Sequence, residues 1–186
     1  MNELISKRWS PRAFSADATI SDSELRTVLE AGRWAPSHGN SQPSRFLVGV
    51  RGTPAFDSIF EVLTRGNKTW AHRASVLLIG CVITSDDRGE IPNVEFGLGL
   101  AMENMALQAT DLGLISHMMG GFDKEAARTA FAMPDDVRPL VAMALGRHGD
   151  LADLPEDLQA REQRERKRLP LTETVFTGTW GRSLLG

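Results

Sequence analysis

Residues 92–112 read PNVEFGLGLAMENMALQATDL, the stretch on which the reading of this chain turns. As one helix it spans about 30 Å at 1.5 Å rise per residue. Leu98, Met102, Met105, Ala109 and Leu112 form its stripe, and Gly97, Gly99, Ala101 and Ala106 are scattered around it. A helix apolar over so much of its circumference is buried on several sides. Gly113 stands where a C-terminal cap is expected. Downstream, Leu114 to Met119 reads as a strand, Asp123 opens a short helix ending before Pro134, and Leu140 to Leu145 is a last core strand. Upstream, Ser75 to Ile83 is the clearest strand, apolar on both faces and therefore expected at the centre of its sheet. Before it come a helix over Thr53 to Leu63 and a short strand over Arg45 to Val50. The earliest strong helix follows Ser21-Asp22-Ser23-Glu24, a capping box, with Leu25, Val28, Leu29 and Gly32 at i, i+3, i+4 and i+7 until Pro36 stops it. Strands alternating with helices suggest a parallel α/β sheet, although nothing in the pattern fixes strand direction.

The 186 residues are expected to form one domain, 1–186, with a core of ordinary size. Beyond Gly149 the character changes: Asp150 to Arg168 is highly charged, and Leu169 to Gly186 carries Leu171, Val175, Phe176, Trp180, Leu184 and Leu185 with little periodicity. Such a tail is expected to dock on something. A net charge of −3 argues against non-specific nucleic-acid binding. No apolar run approaches the roughly 20 residues of a membrane span, so no membrane role is expected. Met1 to Arg12 has no apolar h-region, which makes a cytoplasmic protein the expectation. The one cysteine, Cys81, lies in an apolar strand and reads as a small buried hydrophobe.

Nucleotide-binding glycine signatures, a nucleophile elbow and metal-ligand spacing are all missing from the sequence, so chemistry would have to come from a cofactor. Four segments could contact one. Lys7-Arg8-Trp9-Ser10-Pro11-Arg12 offers guanidinium forks and a hydroxyl suited to an anion, although spacing alone fits a solvated basic patch better. Ala35-Pro36-Ser37-His38-Gly39-Asn40-Ser41-Gln42-Pro43 presents two amides able to read a ring edge, although as a bare string it fits a turn-forming loop better. Met119-Gly120-Gly121-Phe122-Asp123 either lets a ligand approach backbone N–H groups or makes a tight strand-to-helix turn. Arg161 to Arg168 is a fourth possible contact but fits a solvated charged face best, and a nucleic-acid role would need base-reading partners nearby that the sequence does not offer.

The order of these segments is more telling than any one of them. Arg-x-Ser-x-Arg near the start, Ala-Pro-Ser-x-x-Asn-x-Gln-Pro after the first capped helix, Gly-Gly-Phe-Asp after the long helix and Arg-x-Arg-x-Pro near the end resemble the nitroreductase family, from Lys7 to about Val175. The resemblance implies an α+β fold with a mostly antiparallel sheet around a long central helix, in place of the parallel sheet. It implies a homodimer with FMN at the interface, the long helix as its seam, and C-terminal arms (150–186) exchanged between subunits. By position, Arg8, Ser10, Arg166 and Arg168, with Trp9 in the same segment, match residues around the FMN phosphate and ribityl chain. Arg12 matches a cation near the pyrimidine end of the flavin, where it favours the reduced form. Asn67 matches an asparagine reading the pyrimidine edge. Pro36, Ser37, Asn40 and Gln42 resemble the partner's contribution, and the N–H groups of Gly120 and Gly121 those that face flavin N5. The implied activity is ping-pong hydride transfer from NAD(P)H through the flavin to a small electrophile such as a nitroaromatic, a quinone or an enal, with no side chain required as acid. An FMN carrier or redox sensor without turnover, or diverged chemistry such as dehalogenation, is the alternative. Ser44 stands where many members carry Trp, His38 replaces a commoner small residue, and the chain has no tyrosine, which implies a more open or differently gated cleft.

Overall fold

Several helix starts in this protein are set by side-chain caps. In the computed structural model, which describes residues 1–185, Ser21 Oγ accepts from Glu24 N at 3.2 Å and Glu24 Oε2 accepts from Ser21 N at 2.9 Å. Both arms of the capping box are therefore made, and such a cap stabilises by about 1 kcal/mol. Thr53 and Asp123 accept from the third residue of the helices they open. Gly186, the last residue of the 150–186 extension, lies outside the described residues.

In chain order the elements are α1 (Glu3–Lys7), α2 (Asp22–Arg33), β1 (Ser44–Val50), α3 (Pro54–Val62), α4 (Arg65–Ala71) and β2 (Val76–Ile83). A small hairpin, β3 (Ser85–Asp86) and β4 (Gly89–Glu90), leads into α5 (Val94–Asp111). Then follow β5 (Ile115–Met119), α6 (Lys124–Ala130), β6 (Val137–Gly146) and α7 (Glu156–Glu162). The short elements α1, α4, α7 and the hairpin were not foreseen, since none carries enough turns to show a period.

The main sheet has the order β1-β2-β6-β5, and every neighbouring pair is antiparallel. The parallel α/β expectation from element alternation is thus wrong, and the α+β reading is right. Because β2 and β5 are each antiparallel to β6, they run in the same direction. α5 connects them as a crossover helix would, and β6 returns to fill the gap between them. Alternation counts the crossover but cannot reveal the insertion.

β2 is the buried centre, with only Ile83 short of full burial. Its Leu77, Ile79 and Cys81 face a cluster with Phe14, Phe56, Ile59, Trp70 and Ala127. Val76, Leu78 and Val82 face Val28, Leu98, Met102 and Met105. Helices therefore cover both sides: α3, α4 and α6 on one, α2 and α5 on the other. β6 starts three residues earlier than the Leu140–Leu145 strand read from sequence and runs through Pro139. The ladder shifts register between Gly80 and Cys81, opposite Pro139, and such an irregularity accommodates a residue with no N–H to donate. No helix among the described residues is long and apolar enough to cross a membrane.

β1 and α3 approach closely at Gly49, where an added Cβ would lie 2.4 Å from Phe56 N and 2.5 Å from Phe56 Cα. Those are backbone atoms at the start of a helix and cannot swing aside. Gly49→Ala is expected to destabilise the fold by about 1–3 kcal/mol, read as a lower urea midpoint at unchanged m-value.

Candidate functional site

The segment after α1 is held against the sheet by aromatic stacking and short ladders. Ser15 N donates to Arg147 O at 2.9 Å and Gly149 N to Ala13 O at 2.8 Å. The Phe14 ring stacks on Trp70 at 5.9 Å between centroids, and Trp70 lies 4.6 Å from His117 of β5. His117 Nδ1 is 3.1 Å from Pro11 O. The expected anion-binding run, Arg8 to Arg12, is thereby tied to β5.

Arg12 does not stand as a free cation. Its backbone N donates to Glu162 Oε2 at 2.9 Å and its Nη1 to Glu162 Oε1 at 3.1 Å. The Glu162 side chain is only 4% exposed, against 26% for Arg12. Arg8 makes a looser pair, Nε to Glu103 Oε1 at 3.3 Å. Arg166 reaches back to the same segment, donating to Arg8 O at 2.8 Å and Ser6 O at 2.6 Å. Ser10 is exposed, and Trp9 faces His148 with centroids 6.1 Å apart. Arg168 is not brought to the group: it is exposed and donates to Lys167 O.

β5 delivers Gly120 and Gly121 past its last ladder pair, Met119↔Ala142. Neither N–H donates to an acceptor among the described residues. The Gly121 carbonyl is engaged, accepting from Thr64 N at 3.1 Å and Asn67 Nδ2 at 2.9 Å. A Cβ on Gly121 would sit 2.9 Å from Thr64 Oγ1 and 3.1 Å from Asn67 Nδ2, whereas one on Gly120 would meet open space. Asn67 thus spends one donor on the turn and leaves its Oδ1 acceptor available.

A second group lies apart. Pro36, Ser37 and Gln42 line a groove of about 640 Å³ with Arg26, Arg45 and Phe46, and Ser44 borders it too. Ser37 Oγ accepts from Gln42 N at 2.9 Å. Gly39, Asn40 and Gln42 have φ of 54°, 55° and 49°, a left-handed backbone that is uncommon for the two side-chain-bearing residues. Asn40 and His38 are exposed. No hydrogen bond joins this loop to the first group among the described residues. The sequence-predicted residues therefore fall into two sets within the chain.

The match to the Nitroreductase family model covers residues 5–52 and 50–147. The chain belongs to that family. It is similar to an uncharacterized 15.4 kDa protein of Mycolicibacterium smegmatis, 38% identical over 148 residues that span 75% of this chain and 99% of the relative. It is also similar to an Archaeoglobus fulgidus protein provisionally named an NADH dehydrogenase/NAD(P)H nitroreductase, at 29% identity over 83% of this chain and 88% of that one. A solved structure described as an oxidoreductase containing FMN superposes with a TM-score of 0.91 at 34% identity, covering 97% of this chain and 92% of its own. These likenesses show a nitroreductase-like α+β fold.

Two residues of the site escaped the sequence reading. Glu162 sits in a charged run whose neighbours are solvated, and its partner lies 150 positions away. His117 is hidden in an apolar strand. Burial first, and then the positive charge of Arg12, push the His117 pKa below its ordinary 6.5, against hydrogen bonds with the Pro11 and Ser10 backbone and the charge of Glu162. As pH falls through 6.5 the unfolded chain takes up this proton before the folded one, so stability is full above 6.5 and is lost on acidification through the lower folded value. His117→Gln is expected to flatten the fall in urea midpoint below that pH relative to the unaltered protein.

Proposed function

We propose that this protein is an FMN-dependent oxidoreductase that takes hydride from NAD(P)H and delivers it to a small electrophile, a nitroaromatic, quinone or enal, by ping-pong turnover. The observation that carries this reading is the pair of N–H groups at Gly120 and Gly121 that have no partner among the described residues, at the end of the strand that also anchors the Arg8–Arg12 segment. The residues present suit FMN. Arg8, Arg166 and the exposed Ser10 hydroxyl suit a phosphate and a polyol, and Arg offers phosphate a planar fork of donors. Asn67 Oδ1 suits a ring N–H, and Arg12 suits a carbonyl edge. FMN bound there would supply the hydride-carrying chemistry that no side chain of this protein offers. The chain's own task is then to orient and to polarise. The Gly120 and Gly121 N–H groups are held by the ladder on one side and by the Thr64 and Asn67 bonds on the other. Donors preorganised in this way need no rearrangement when charge develops beside them.

The same reading makes the active unit a homodimer in which Pro36, Ser37, Asn40 and Gln42 serve the partner's cofactor. Their separation from the first group within one protomer supports it. So does apolar surface left open by this chain: Leu169, Leu171 and Trp180 are 66%, 63% and 92% exposed. A tail of this kind, within the 150–186 extension of a single domain, has the composition of an arm over a second copy, and Arg168 would join the site from it. Ser44, where many family members carry Trp, borders the groove and leaves it more open or differently gated.

The purified protein is expected to show flavin absorption bands, or to acquire them on adding FMN, and to bleach anaerobically with NADPH or NADH. A colourless protein that takes up no FMN would sink the proposal, and bands that persist with both donors would leave a carrier or sensor. Arg8→Ala removes a charged contact worth about 1.5–3 kcal/mol and should weaken FMN binding roughly 10- to 150-fold by fluorescence titration. Light scattering should give the mass of two chains.

A further inference from the structure

Glu162 breaks two local rules at once. It is a carboxylate with a side chain 4% exposed, and it is the last residue of α7, where the outward carbonyls disfavour a negative charge. Its neighbours offer an easy alternative, since Arg161, Gln163, Arg164 and Glu165 are all exposed. What compensates it is Arg12, bonded through both the main-chain N–H and the guanidinium. One carboxylate so fixes the position of the Arg12 backbone and the direction of its side chain together. Violations of local preference with a specific compensation are characteristic of functional positions.

Arg12 is not exhausted by this pairing. Only Nη1 of its side chain donates to a protein acceptor among the described residues, which leaves Nε and Nη2. The side chain is 26% exposed, so these donors have a way out to a ligand. Beneath the same segment, His117 faces the Pro11 carbonyl, so residues 10–12 are gripped from the sheet as well as from α7.

We propose that Glu162 is a positioning residue for the flavin site: it aims the free donors of Arg12 at bound FMN and offsets the Arg12 charge, keeping the reduction potential lower than a bare guanidinium would. The proposal rests on the FMN reading above. An unpaired cation beside an electron-rich ring favours its reduced, more negative form over the oxidised one. The buried carboxylate opposes that preference while leaving the geometry of donation intact.

The test is the two-electron midpoint potential of bound FMN, with FMN affinity beside it. Glu162→Gln keeps the shape and removes the charge. It should raise the binding preference for reduced over oxidised FMN about tenfold, equivalent to about +30 mV. In an Arg12→Gln background the same substitution should leave the potential unmoved. Glu162→Asp keeps the charge but withdraws it by one methylene. It should hold the potential near that of the unaltered protein and weaken FMN binding several-fold, and it serves if Glu162→Gln does not fold. An unshifted potential in a folded, FMN-loaded Glu162→Gln protein overturns the proposal. So does a shift that survives removal of Arg12, or a Glu162→Asp protein with a shifted potential and unaltered affinity. If the unaltered protein itself takes up no FMN, the function reading fails and this proposal with it, an outcome distinct from the others.

Discussion

A strand with no polar face has only one kind of place in a folded protein. Val76–Ile83 must find hydrogen-bonding neighbours along both edges and an apolar layer over both surfaces, since water reaches neither. β1 and β6 satisfy the edges. α5 with α2 supplies one layer, and α3, α4 and α6 with Phe14 supply the other. Fully burying a Leu or Ile contributes roughly 1.5–3 kcal/mol, so this strand alone commits a large share of the hydrophobic stabilisation. The candidate site then falls where that demand ends, on β5, whose far edge has no strand beyond it among the described residues.

Much of this was legible because it is local. The Ser21–Glu24 box, the helix opened by Asp123 and the uniform apolarity of Ser75–Ile83 each express a short-range preference that the fold does not override. Strand direction was not legible from pattern, because the insertion of β6 between β2 and β5 is a long-range event that leaves no periodic mark. Pro139 concealed the start of β6 for a related reason. A proline looks like a strand terminator unless the irregularity opposite it, between Gly80 and Cys81, is known.

The site divides in the same way. Gly120-Gly121 could be recognised as a strand-to-helix turn, and the family resemblance singled out Asn67. The bond between them, Asn67 Nδ2 to the Gly121 carbonyl, spans 54 positions and is visible only in the fold. Glu162 was hidden altogether: in a run of charges, the single member that turns inward has no signature of its own. The Gly120 and Gly121 N–H groups, without a partner among the described residues, likewise follow from where the β5 ladder stops rather than from glycine content. Their donors are aligned by neighbouring backbone, so the site's polarity at this point does not depend on any titrating side chain.

Arg12 and Glu162 also set an order in time. All four strands of the main sheet precede Glu162, so the sheet can pair while the carboxylate has yet to be made. Synthesis at about 5–20 residues per second separates Gly146, the end of β6, from Glu162 by roughly one to three seconds. Through that interval a nascent chain carries a near-complete core and an Arg12 segment anchored only from the sheet side. Formation of the Arg12–Glu162 pair thus trails the folding of the sheet that carries Arg12.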